Sequence, residues 1–140
     1  MKKSLFGLLI ICISCSQTDH IASEQYPQKW KLTEMSGSIA NVPPSTGSDM
    51  EWQEYYLLKA DGTFTKHRER DQEVKEESGT YNFINLSDGK YLELVYPSKN
   101  ELVGNCTQEP KELLKLNSEN ILIGTWWACD GPGLKYERVE

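Results

Sequence analysis

Residues 55–65 read Tyr55-Tyr56-Leu57-Leu58-Lys59-Ala60-Asp61-Gly62-Thr63-Phe64-Thr65, and this order decides the fold. An apolar, aromatic run stops at Asp-Gly, and an alternating run restarts at once. Gly supplies the positive φ that a type I′ turn requires and Asp tolerates it, so the stretch predicts a strand, a tight turn and a strand. The pattern recurs downstream. Gly79-Thr80-Tyr81-Asn82-Phe83 leads to Ser87-Asp88-Gly89, and Tyr91-Leu92-Glu93-Leu94-Val95-Tyr96 returns. Two successive hairpins over residues 52–96 therefore organise the chain.

Working outward, Trp52, Glu54, Tyr56 and Leu58 share one face of their strand, and Tyr56, Leu58 and Phe64 are expected inside. On the amino-terminal side, residues 28–35 alternate, with Trp30, Leu32 and Glu34 facing one way and Lys29, Lys31 and Thr33 the other. That is a first strand. Residues 36–48, rich in Ser, Gly and Pro, form a long connection, and long connections in compact domains tend to carry function. This segment is the expected lid. Residues 66–77 are almost wholly charged and are expected to be a solvated two-stranded ribbon. Beyond Tyr96, residues 101–106 read as a short strand or bend. Residues 111–117 and 121–128 flank a turn at Ser118-Glu119-Asn120, and residues 134–139 close the chain as an alternating strand. Leu113 to Leu116 suits a helix by composition, but its short length and its neighbours favour a strand. The total is about eight or nine strands in meander order with no helix. An all-β, up-and-down antiparallel barrel of about eight strands removes the exposed edges such a sheet would have.

The chain has 140 residues, the length of one domain. Its first residues stand apart. Met1-Lys2-Lys3 is cationic, residues 5–13 are apolar, and Ser14-Cys15-Ser16 follows. The apolar run is too short to span a bilayer, which takes about 20 residues, and reads as a signal peptide. Residues 1–14 are thus the expected leader, 15–26 a tether and 27–140 the barrel. The net charge of −6 becomes about −8 once Lys2 and Lys3 are removed with the leader, which argues against a nucleic-acid partner. Cys12 leaves with the leader, and with Cys15 lipidated, as the resemblance of Ser14-Cys15 to a bacterial lipobox implies, Cys106 and Cys129 remain for an oxidising compartment. A disulfide between them is favoured over two separate thiols.

The Ser14-Cys15 pair resembles the lipobox of bacterial lipoproteins, with Cys12 where Leu is commonest in that family. The resemblance implies that Cys15 is acylated, the palmitate-type anchor of such proteins, and that the membrane is a partner through this end. Ser16 stands where Asp gives inner-membrane retention in enteric bacteria, so an outer-membrane location in the cell envelope is expected. Further along, Ala60-Asp61-Gly62-Thr63-Phe64, Ser78-Gly79-Thr80-Tyr81 and Leu92-x-Leu94 together resemble the small lipocalin-like lipoproteins of the Bacteroidetes type. In lipocalins a first-strand Trp plugs the closed end beneath a carboxy-terminal Arg. Trp30 and Arg138 are the matching residues, a stack contributing about 0.5–2 kcal/mol. Gln28 replaces the usual Gly.

The function expected from this reading is binding of a small hydrophobic or amphipathic ligand inside the barrel. Trp30, Tyr56, Leu58, Phe64, Tyr81, Phe83, Leu94 and Tyr96 would line the site. The alternative is a filled, non-enzymatic module that contacts another envelope protein through its outer surface, by Trp126 or Trp127, neighbours on a strand, and the charged ribbon of residues 66–77. His67, Glu69 and Asp71 alternate on one face, but the second His of the chain lies in the tether, so no metal site and no cofactor are expected. Neither a nucleophile and base at motif spacing, nor a phosphate loop, nor paired carboxylates in an apolar setting can be read from the chain. No enzyme activity is expected.

Overall fold

The computed structural model describes residues 25–37 and 39–139. Nine strands occur among them: β1 (Gln28–Ser36), β2 (Ser45–Thr46), β3 (Gln53–Leu58), β4 (Thr63–Arg70), β5 (Glu73–Leu86), β6 (Gly89–Val95), β7 (Lys111–Ser118), β8 (Ile121–Gly124) and β9 (Gly133–Arg138). β1 and then β3 to β9 pair antiparallel in chain order, and β1 also pairs with β9. Eight strands therefore close into an antiparallel up-and-down barrel consistent with the lipocalin-like architecture. β2 is an extra strand on the upper part of β1, where Ser45 faces Met35 and Thr46 faces Glu34.

Turn chemistry explains the meander, with one change from the expected turn type. Gly62 donates to the Lys59 carbonyl and alone in this turn has positive φ, +83°. The hairpin is thus a type I turn closed by a left-handed Gly rather than a type I′ turn. The turn with both central residues at positive φ is Asp71-Gln72 (φ 53° and 66°), between Arg70 and Glu73, which face each other. It contains no Gly.

Period-two alternation directs Trp30, Leu32, Tyr56, Leu58, Phe64, Tyr81, Leu92, Leu94, Leu122 and Tyr136 inward, where all are buried. A register shift in β1 between Leu32 and Glu34 exchanges the faces, so Met35 is buried and Glu34 turns outward. Glu34 then pairs with Lys135 at 2.5 Å. Phe83 shares the inward parity but is only half-buried, and Tyr26 at the end of the expected tether packs on the core.

The loops divide between two ends. Hairpin turns close one end at residues 59–62, 87–88 and 119–120. At the other end lie residues 39–44, the Asp71-Gln72 turn, residues 97–110 and residues 125–132. Cys106 and Cys129 join the last two segments by a disulfide, S–S 2.11 Å and Cα–Cα 5.6 Å.

Candidate functional site

The barrel interior holds a cluster of charge. Lys66 lies on β4 two residues after Phe64, so the alternation that buries Phe64 buries Lys66 as well, to 0% exposure. It faces Tyr56 across the β3–β4 pairing, and Arg68 faces Glu54. Its ammonium lies 2.8 Å from Glu112 Oε1 and 3.3 Å from Glu54 Oε1, and it donates to the Leu102 carbonyl at 2.6 Å. Glu112 comes from β7. Its other oxygen accepts from the Tyr56 hydroxyl at 2.8 Å and from the Tyr96 hydroxyl, while the Gly104 amide donates to Oε1 at 2.5 Å. Glu54 accepts from the Tyr136 hydroxyl and from Arg68 Nε, both at 2.5 Å.

Two acids and two bases thus balance inside the barrel. Burial alone raises the Glu54 carboxyl, but the charges of Lys66 and Arg68 with the Tyr136 and Arg68 hydrogen bonds hold it below its ordinary value. Burial, then the neighbouring carboxylates, push the Tyr56, Tyr96 and Tyr136 hydroxyls well above theirs. Each oxygen of both carboxylates is occupied by donors. Such a cluster holds strands together.

This corrects two expectations. Residues 66–77 are not a solvated ribbon throughout, because inward parity and the Glu54 and Glu112 carboxylates draw in Lys66 and most of Arg68. Paired carboxylates in a buried setting do exist; Glu54 and Glu112 meet through Lys66. The signal was present in the parity counted from Phe64, but the partner Glu112 lies 46 residues along the chain.

Of the eight residues expected to line a cavity, seven are buried and Phe83 is partly so. Leu58, Phe64 and Leu94 are 0% exposed, and Trp30 and Tyr56 are 1%. A side chain with no surface reachable by a water-sized probe touches no internal cavity either, so these residues fill the barrel. Tyr56 packs on Tyr136 at 5.1 Å between ring centroids, and Phe64 on Tyr96 at 5.0 Å. Trp30 faces Arg138 in the β1–β9 pairing, and its indole donates to Gln28 Oε1 at 3.2 Å, giving the Gln in place of Gly a partner.

The loop-bearing end is where space opens. Residues 36–48 were the expected lid, but β2 and the 3-10 turn Gly47–Asp49 pin their second half. Residues 97–110 cover the mouth instead. Leu102 and Val103 are buried there, anchored by the Lys66 and Glu112 bonds above. Residues 101–106 contain no strand. Trp126 and Trp127 lie on a 3-10 turn, Trp126–Cys129, rather than on a strand, yet they do point to different sides. Trp126 packs close to Gly104 and Gly131, where a Cβ would come within 2.7 and 2.4 Å of its ring, and Trp127 is 62% exposed.

Trp127 stands over a cleft of about 590 Å³ on the barrel rim, walled by Pro44, Ile123, Leu134 and Lys135. Three smaller clefts open at the same end, and none of the four is lined by the eight expected interior residues. His67 faces outward, stacked on Tyr55 at 4.7 Å and 2.9 Å from Glu76. Asp71 has left the strand for the turn, so the supposed triplet does not share a face. No cluster of three metal-ligating side chains occurs among the described residues. Among these residues no helix is long and apolar enough to cross a membrane. Ser14 and Cys15, with the leader and most of the tether, lie outside the described residues.

No protein-family model matches the chain, and neither a curated protein nor a solved structure matches it significantly.

Proposed function

We propose that this chain is a lipid-anchored, non-enzymatic interaction module of the bacterial cell envelope, in which a filled barrel presents its loop-bearing end to a protein partner. The observation that carries this reading is the contrast between the two parts of the molecule. The interior side chains fill the barrel, whereas the clefts and the exposed Trp127 gather at one end. A large aromatic side chain beside a shaped cleft is the usual anchor of an interface. The disulfide between residues 106 and 129 stiffens the turn that carries Trp127, which lowers the entropy lost on docking. Acylation of Cys15 supplies the membrane attachment, and the hairpin-turn end, next to Gln25, faces the tether. The loop-bearing end then faces away from the lipid.

Photo-crosslinking in the producing cells tests the reading. A crosslinker at Pro44, beside the rim cleft, should give one discrete adduct with an envelope protein, and Trp127→Ala should abolish it while leaving the fold intact. An adduct unchanged by Trp127→Ala, or none, would refute it.

A further inference from the structure

A second cleft, of about 290 Å³, lies over the barrel mouth between Trp52, Arg68 and Trp126. Two hydrogen-bond donors of its lining residues have no acceptor and are shielded from water: Trp52 Nε1 and Arg68 Nη2. The two side chains are stacked, with the guanidinium carbon 4.5 Å from the indole centroid. Trp52 is 6% exposed. Buried donors are nearly always satisfied, and two unsatisfied ones on stacked side chains that line one cleft mark a place for an acceptor. The rest of the guanidinium is committed, Nε to Glu54 Oε2 at 2.5 Å and Nη1 to the Glu101 carbonyl at 3.4 Å.

From this the geometry points to a binding site for a small monocarboxylate, whose oxygens accept from Arg68 Nη2 and Trp52 Nε1 while its apolar body lies against Trp126. A carboxylate offers two acceptors on one planar group, matching two fixed donors. Charge at the rim selects against a more highly charged anion. Lys75 is held by Glu101 at 2.8 Å and Glu73 at 3.4 Å, and Arg70 by Glu51 at 3.2 Å and Asp71 at 3.8 Å. Four acids there outnumber the two outer cations, so the rim is net negative and repels a phosphate dianion more strongly than a monoanion. Entry requires the side chains of Arg70 and Lys75, 55% and 38% exposed, to swing aside. This site opens over the mouth, apart from the Trp127 cleft, so it goes beyond the docking role and does not depend on it.

The test uses the full chain carrying Cys15→Ser, labelled with ¹⁵N, and follows the four indole N–H signals while benzoate, acetate or inorganic phosphate is added. Benzoate and acetate should shift the Trp52 signal saturably at millimolar concentration, benzoate binding more tightly, with phosphate leaving it in place. Trp52→Phe keeps an aromatic ring and removes the donor, and calorimetry should show benzoate affinity falling about tenfold. No saturable shift of the Trp52 signal with either carboxylate would overturn the site, whether or not the variant folds. Equal response to phosphate would overturn its selectivity, and unchanged benzoate affinity in folded Trp52→Phe would remove the proposed donor.

Discussion

Lys66 Nζ on β4 lies 2.8 Å from Glu112 Oε1 on β7, with both side chains almost wholly out of water. This pair joins opposite parts of the barrel wall and, through Leu102 and Gly104, ties the mouth segment to the core. Removing one partner of a buried pair leaves the other charge uncompensated. Lys66→Met should therefore cost about 3–5 kcal/mol of unfolding free energy. Adding Glu112→Gln should restore part of that loss, and urea denaturation of the two variants measures both effects.

Stability should fall at both pH extremes. Glu54 is held below its ordinary value in the fold, so its contribution is full above the unfolded carboxylate range, about 4.3, and is lost as pH falls through the depressed folded value. Tyr56, Tyr96 and Tyr136 are raised, so their contribution is full below about pH 10 and is lost as pH rises toward their folded values. Thermal melts across pH should show both limbs. In an ultraviolet titration, three of the seven tyrosines should ionise only as the barrel opens.

The disulfide spans 23 residues. Replacing Cys106 and Cys129 together by Ser should lower unfolding free energy by about 3 kcal/mol on the chain-entropy model. Because the bridge joins two mouth segments, hydrogen exchange should quicken at residues 97–110 and 125–132 more than in the strands.

Gly79 sits where β5 approaches β6 and Phe64. A Cβ there would stand 2.0 Å from the Val95 carbonyl oxygen and 2.8 Å from the Phe64 ring. Gly79→Ala should destabilise the barrel by at least about 1–3 kcal/mol, the usual cost of overpacking, as read by denaturant titration. In contrast, Gln72→Gly should stabilise it by about 1–2 kcal/mol, because Gln72 holds a left-handed backbone (φ 66°) that costs an L-residue that much.

The hairpins around Asp61-Gly62 and Asp88-Gly89 were legible because turn residues and alternation are local signals, and the inward set Tyr56, Leu58 and Phe64 followed from the same count. The disulfide was legible once the lipobox resemblance of Ser14-Cys15 set Cys12 and Cys15 aside. What the local signals could not show is which distant groups meet. Lys66 looks solvated beside its charged neighbours, and only closure of the barrel brings Glu112 to it. The shift of register after Leu32, the cover formed by residues 97–110 and the 3-10 turn under Trp126 and Trp127 likewise arise from tertiary packing. The unsatisfied donors of Trp52 and Arg68 have no sequence signature at all.

Native mass spectrometry of the full chain carrying Cys15→Ser, incubated with a bacterial envelope lipid extract, tests the filled barrel most directly. The account predicts that no apolar molecule is retained in stoichiometric amount. A lipid or other apolar adduct held until the chain unfolds would show that the interior opens to receive a ligand, and would contradict it.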